Sequence, residues 1–379
     1  MILLRSAVHE NARSSLECGS EAPASPDGHR PAKRRHWLGL ALATASVLAV
    51  CAGGVFYWRP WWVIDESIRA WLRWAGFRSQ YVRLDSCRVH YYVGGRGKPL
   101  VLVHGLGAMA ESWAEVMIAL ARRGYQVYAI DLPGFGRSDR PDVDYSIAFQ
   151  AEALKQFFDS QNLGRADLGG WSMGGWVALK FILGHPERVR RVFLVDSAGL
   201  TFKPPFDPAL FQPATVDQAQ QLLRLLTPQA ARIPRFVARD LVRQVRPTRW
   251  VVERALNSMM AGSDLLDGKL PAIRIPALIV WGKQDALIPV SCGEEMHRQM
   301  PQSRLAIFDG CGHMIPAECC GRLVMETVHF LEADPSLPAS AREFPADSLA
   351  GSADLQVSTC RPFALLRAGS EGRRYNDLR

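Results

Sequence analysis

Along the chain, apolar and polar positions fall into blocks of different period. Residues 1–36 show no sustained apolar period and are rich in Ser, Pro, Ala and charge, a composition that cannot bury enough surface to fold, so a disordered head is expected. Residues 37–58 are apolar almost throughout, with Cys51 and Tyr57 the only ionisable side chains. As a helix that run would be about 33 Å long, enough to cross a hydrocarbon core of roughly 30 Å. A transmembrane helix is the expectation, because the run is longer than a signal-peptide core and no small-x-small site ends it. In residues 59–80, Trp61, Trp62, Trp71 and Trp74 interleave with Arg69, Arg73 and Arg78, while Ile68, Trp71, Leu72 and Ala75 lie at helical spacing. That pattern suits a helix in the lipid headgroup layer, or equally an amphipathic helix packed on the folded domain.

From residue 81 onward short β-rich runs alternate with helix-length segments. The runs are 81–84, 89–93, 100–103, 127–130, 166–169, 189–195, 277–281 and 305–308. Strands separated by helices imply an α/β fold, a mostly parallel sheet with helices on both faces. The alternation breaks between residues 201 and 270, where Pro204, Pro205, Pro208, Pro213, Pro228, Pro234 and Pro247 punctuate helical stretches such as 217–226. A helical cap inserted after the sixth strand is expected there. Past residue 332 the chain is Ala-, Ser-, Pro- and Arg-rich with weak periodicity, the composition of a disordered tail.

Composition narrows the function classes. The 379 residues, 48% hydrophobic and 22% charged, are ample for one sizeable catalytic domain with appendages. The formal charge of +8 forms no compact stripe: Arg30, Lys33, Arg34 and Arg35 precede the apolar run, and Arg361, Arg367, Arg373, Arg374 and Arg379 lie in the tail. Nucleic-acid binding is therefore not expected. The eight cysteines in a chain this long make no disulfide framework, and no C-x-x-C spacing offers a structural zinc site. Leu48-Ala49-Val50-Cys51 resembles a lipoprotein processing site only weakly, since Val50 stands where a small residue is wanted. The basic cluster before residue 37 is denser than the charge just beyond residue 58, where Arg59 stands alone, so the head is expected in the cytoplasm. In a bacterial source the catalytic domain would then face the periplasm.

The chemistry is concentrated in a few loops. Gly170-Trp171-Ser172-Met173-Gly174 is the chain's one G-x-S-x-G, placed between a short strand and a helix. Small residues two positions either side let a sharp strand-to-helix turn expose the Ser172 hydroxyl at a helix N-terminus, a place that favours an oxyanion. His104-Gly105-Leu106-Gly107 follows the strand 100–103, where the backbone N–H of Leu106 can oppose that of Met173 as an oxyanion hole. His104 itself reads as structural in that turn. His313, in the Gly-rich loop Gly310-Cys311-Gly312-His313 after the last strand, is the expected general base. Asp285, just past the strand 277–281, is the expected acid, with Asp196 after the preceding strand as its competitor. Asp131, in Asp131-Leu-Pro-Gly-Phe-Gly-Arg-Ser138, reads as a loop-stabilising carboxylate. Ser, acid, His is the chain order seen in this kind of fold, and it needs neither metal nor cofactor.

Together, His104-Gly105, the stretch from Asp131 to Ser138, the Ser172 motif, Trp281-Gly-Lys-Gln-Asp285 and Gly312-His313 resemble the α/β-hydrolase superfamily over residues 81–332. The N-terminal apolar segment, Ser197-Ala198-Gly199-Leu200, Ile275-Pro276 and Cys311-Gly312-His313 look most like the membrane-bound monoacylglycerol lipases of the abhydrolase-6 type. The long polar head and tail depart from that pattern. The resemblance implies hydrolysis of glycerolipid or similar apolar esters without a cofactor, at a membrane, with the acyl length, the alcohol and the oligomeric state left open. The same Ser172 to Gly175 and Asp196 to Gly199 stretches also resemble C–C bond hydrolases of ring-cleavage products. A non-catalytic membrane-anchored scaffold is the remaining alternative. Phe202, Phe206, Leu210, Phe211, Leu222, Leu223, Leu225 and Leu226 in the cap are expected to shape an apolar acyl pocket.

Overall fold

Two helices open the structure, α1 (Pro31–Trp58) and α2 (Pro60–Trp74), followed by strands β1 (Arg78–Arg83), β2 (Arg88–Gly95) and β3 (Lys98–Val103). Then come α3 (Ala114–Arg122), β4 (Tyr125–Ile130), α4 (Ile147–Ser160), β5 (Ala166–Trp171), α5 (Met173–Gly184) and β6 (Val189–Val195). Helices α6 (Val216–Leu226), α7 (Arg235–Val245) and α8 (Arg249–Met260) fill the stretch before β7 (Ala277–Gly282). The chain closes with α9 (Val290–Gln299), β8 (Ser303–Phe308), the short α10 (Ile315–Glu318) and α11 (Cys320–Glu332). This computed structural model describes residues 31–227 and 233–333. Of the segments expected to be disordered, residues 1–30 of the head and 334–379 of the tail lie outside the described residues, while residues 31–36 of the head belong to α1.

The eight strands form one sheet in the order β1-β2-β4-β3-β5-β6-β7-β8. Pairs β1/β2 and β2/β4 are antiparallel, and every later pair is parallel. Central strands of a parallel sheet are covered on both faces and need continuous apolar runs. All six residues of β5 and of β7 are buried, although β5 carries Asp167, whose side chain meets Arg190. Alternation then distributes side chains between two cores: Val101 and Val103 join the cluster with Phe157, Leu168 and Leu179, whereas Leu100 and Leu102 join Trp113, Met117 and Phe193 on the other face. Parallel strands all end at the same edge, so the loops after β5, β6, β7 and β8 converge there.

By compactness the chain separates into one unit ending at Gly53 and another beginning at Gly54. In the first, the described part is the run of α1 up to Gly53. This helix starts at Pro31, earlier than the apolar run at residue 37; proline suits a first helical turn because its missing N–H would be unpaired there. Residues Leu40–Trp58 are long and apolar enough to cross a membrane, and side chains such as Leu42, Val47, Leu48 and Val50 are exposed. In the second unit, α2 buries Ile68 and Leu72 against the core face that holds Phe77 and Trp113. Of the two readings for residues 59–80, packing on the folded domain accounts for this face.

Candidate active site

Strand β5 ends at Trp171 and α5 begins at Met173, so Ser172 alone turns the chain, at φ 55° and ψ −120°. For a residue with a Cβ this is strained backbone, kept only where the surroundings impose it. Here the Ser172 N–H donates to Val195 O at 2.9 Å, and the Ala198 N–H donates to Ser172 O at 3.1 Å. A Cβ on Gly170 would lie 2.5 Å from Gly174 O, and one on Gly174 would lie 2.3 Å from Val103 O. The glycine spacing is thus set by contact, because the turn closes only where neither side chain exists.

His313 and Asp285 come from the loops after β8 and β7. The Nδ1 of His313 lies 2.7 Å from Asp285 Oδ2, and the imidazole is almost fully buried. The other carboxylate oxygen, Oδ1, accepts from the N–H groups of Leu287 and Ile288 at 2.7 and 3.0 Å. With its carboxylate held on both oxygens, Asp285 fixes the ring with a proton on Nδ1 and leaves Nε2 to accept one. The His313 loop is itself held: its carbonyl accepts from Trp171 Nε1 at 2.9 Å, and a disulfide joins Cys311 to Cys319 across it. That bridge was not read from the sequence, where the adjacency of Cys319 and Cys320 gave no pairing signal.

Asp196, the competing acid, lies close by but in a different role. Its carboxylate Oδ1 accepts from the Gly282 N–H at 2.8 Å, while Oδ2 is buried with no hydrogen-bond partner among the described residues. Burial, reinforced by the charge of Asp285, pushes its pKa well above the ordinary carboxylate range. Donor atoms of Asp196, Asp285 and His313 all lie within 4.8 Å of one another, so the group could be taken for a metal site. Two ligands about 2.1 Å from one tetrahedral ion stand more than about 3 Å apart, and the 2.7 Å His313–Asp285 contact is instead a direct hydrogen bond.

The remaining histidine and aspartate of the motifs brace the loop after β3. His104 is fully buried, with Nδ1 donating to Gly105 O at 2.7 Å and Nε2 accepting from the Leu132 N–H at 3.1 Å; burial lowers its pKa and keeps the ring neutral. Asp131 accepts from His90 Nδ1 and from the N–H groups of Ala110 and Arg137. Burial opposes its charge, but these donors outweigh burial and hold the carboxyl below its usual range.

Ser172 opens onto two cavities. One, of about 330 Å³, is lined by Leu106 and Met173 at the strand ends and by Phe202, Phe206, Phe211 and Met259 from the stretch between β6 and β7. The other, of about 240 Å³, also touches Leu106 and Ser172 and adds His313, Leu222, Leu223 and Val252. Helix α2 contributes Trp61, Ile64 and Asp65 to its wall. That helix is tied to α7 by the Trp61 N–H donating to Asp240 Oδ2 at 3.0 Å and by Gln244 Nε2 donating to Asp65 Oδ2 at 2.9 Å. No motif marks Asp65; the helical spacing of residues 59–80 was its only signal.

Similarity to known proteins follows the same outline. Residues 98–318 match the family described as alpha/beta hydrolase fold. The 2-hydroxy-6-oxononadienedioate/2-hydroxy-6-oxononatrienedioate hydrolase of Burkholderia vietnamiensis is 31% identical over 65% of this chain and 94% of its own length. A pimeloyl-[acyl-carrier protein] methyl ester esterase of Aeromonas hydrophila is 33% identical over 58% of this chain and 89% of its own. Among solved structures, a membrane phospholipase A described as a bacterial virulence factor superposes with a TM-score of 0.66 at 29% identity, covering 79% of this chain and 98% of that one.

Proposed function

Since this chain belongs to the α/β-hydrolase family, we propose that it is a membrane-anchored serine hydrolase cleaving carboxylic esters of apolar acyl chains, such as monoacylglycerols or similar lipid esters. In this reading Ser172 Oγ attacks the ester carbonyl as His313 Nε2 takes its proton, and Asp285 steadies the imidazolium. The N–H groups of Leu106 and Met173 hold the oxyanion. The intermediate collapses as His313 returns the proton to the leaving alcohol, and water later releases the acid from the Ser172 ester. The chemistry calls for no cofactor.

The observation that carries the ester reading is the first cavity, which no ionisable side chain lines among the described residues. An apolar pocket of that kind accepts an alkyl chain and offers nothing to a carboxylate. A C–C bond hydrolase of a dicarboxylic ring-cleavage product, the reading favoured by the Burkholderia relative, needs a partner for that second carboxylate. The anchor reading rests on the apolar length of α1. An oxidising compartment for the catalytic domain is supported by the Cys311–Cys319 disulfide, in keeping with the basic cluster at Arg30, Lys33, Arg34 and Arg35 on the opposite side.

The test is a series of 4-nitrophenyl esters with the detergent-solubilised protein, beside labelling by a fluorophosphonate. Decanoate should exceed acetate at least tenfold in kcat/KM, and Ser172→Ala should abolish labelling and lower kcat by on the order of 10⁵-fold. Equal rates on the two esters would remove the acyl pocket. Faster turnover of a ring-cleavage dienoate than of any ester would hand the site to C–C cleavage.

A further inference from the structure

The two cavities at Ser172 divide the substrate between them. When the tetrahedral intermediate collapses, the leaving oxygen must take its proton from His313, so the alcohol half has to sit on the side that His313 lines. His313 lines only the second of the two cavities. The acyl chain then occupies the first, whose lining is apolar, and the alcohol extends toward α2.

Among the described residues, the carboxylates that line the second cavity are not matched by any lining cation. Its ionisable lining residues, besides His313, are Asp65 and Glu111, and no Lys or Arg lines it among the described residues. Glu111 is 2% exposed; its Oε1 is occupied by Arg69, Arg137 and Tyr92, while Oε2 is buried with no hydrogen-bond partner among the described residues. An unpaired buried carboxylate oxygen costs free energy unless a donor reaches it. Asp65 Oδ2 accepts from Gln244 Nε2, which fixes its carboxyl against α7. Half-buried Asp65 lines the cavity as its acceptor, whereas the charge of Glu111 is already met by Arg69 and Arg137. A hydroxyl can donate to the Asp65 carboxylate; a phosphate, bearing like charge, is repelled by it.

We propose that the second cavity is the leaving-alcohol subsite, with Asp65 on α2 as its specificity-determining residue, selecting alcohols that carry free hydroxyl groups and no anionic group. This rests on the ester reading above and narrows it, placing uncharged glycerol-type esters ahead of their phosphorylated counterparts. Selection would then come from a helix that lies outside the matched stretch 98–318 and follows α1 in the chain with only Arg59 between them.

The experiment compares three decanoates with the full-length, detergent-solubilised protein: 1-monodecanoylglycerol, methyl decanoate and 1-decanoylglycerol 3-phosphate. Wild type should favour the glycerol ester over the glycerol phosphate ester by at least tenfold in kcat/KM. Asp65→Asn keeps an acceptor for Gln244 and so the tie between α2 and α7. It should lower kcat/KM for the glycerol ester about tenfold, mostly through KM, narrow the gap to the phosphate ester, and leave methyl decanoate within about twofold. Asp65→Ala should match it on selectivity, with the melting temperature reporting any loss of the tie itself. Equal losses on the glycerol and methyl esters, or wild-type rates on the phosphate ester equal to those on the glycerol ester, would overturn the subsite. Failure to hydrolyse any of the three decanoates would overturn the ester reading and the subsite with it.

Discussion

Two carboxylates stand beside one imidazole, and their surroundings set them apart. Asp285 has both oxygens engaged by donors, including His313 Nδ1, whereas Asp196 has one oxygen on the Gly282 N–H and the other on nothing described. Burial and the charge of Asp285 push the pKa of Asp196 well above the ordinary carboxylate range. Asp285→Asn, which cannot hold the required tautomer, should lower kcat by on the order of 10⁴-fold, while Asp196→Asn should cost less than tenfold. Steady-state rates on one ester decide this, and the opposite ranking would transfer the acid to Asp196. The same pair gives a pH signature. A carboxyl whose folded pKa is raised stabilises fully below its unfolded value, 3.8, and loses that contribution as pH rises toward the folded value. Melting temperature in the Asp196→Asn variant should therefore decline less than in wild type from about pH 4 upward. From sequence, Asp285 was favoured over Asp196 because it lies one strand before the His313 loop, so that the two loops can meet at the same sheet edge. The ranking came from which loop reaches His313.

Among the elements, the loop between β8 and α11 combines the proposed base, His313, with a covalent brace. Cys311 and Cys319 enclose His313 within a short loop, the Gly312 N–H donates to Glu318 Oε2 at 2.6 Å, and Trp171 Nε1 pins the His313 carbonyl. Closing so short a loop contributes roughly 2–3 kcal/mol by restricting the unfolded chain, little beside the sheet, but it also fixes the imidazole where small displacements cost rate. Cys319→Ser, or reduction with a phosphine, should leave the fold intact and lower kcat several-fold with KM nearly unchanged. Circular dichroism beside kinetics measures both, and full activity in the reduced protein would limit the bridge to stability. The strands themselves were legible because buried parallel strands demand continuous apolar runs. The glycine positions were legible because the turn at Ser172 leaves no space for side chains. The disulfide was not, since pairing depends on how a loop folds back and not on the spacing of its cysteines.

At the level of the whole molecule, the proposed arrangement places the head in the cytoplasm and the hydrolase in an oxidising compartment; the apolar length of α1, the basic cluster before it and the Cys311–Cys319 bridge are what support it. A reporter fused after residue 332 should be active only outside the cytoplasm, and extraction should require detergent. A cytoplasmic signal would reverse the topology, and recovery in the soluble fraction without detergent would remove the anchor. By itself the sequence determined the α/β sheet, the strained turn at Ser172, the apolar span and the ordered motifs that carry Ser172, Asp285 and His313. All of these are written in local periodicity and spacing, which survive without knowledge of what packs where. Only the tertiary structure decided which carboxylate touches the imidazole, that a bridge braces its loop, and that α2 walls the second cavity. The α2 wall depends on contacts between segments far apart in the chain, as with Trp61 and Asp240, 179 residues apart, and the bridge on how its short loop folds back. Such contacts are selected by the packing of the whole fold, and no local pattern records them.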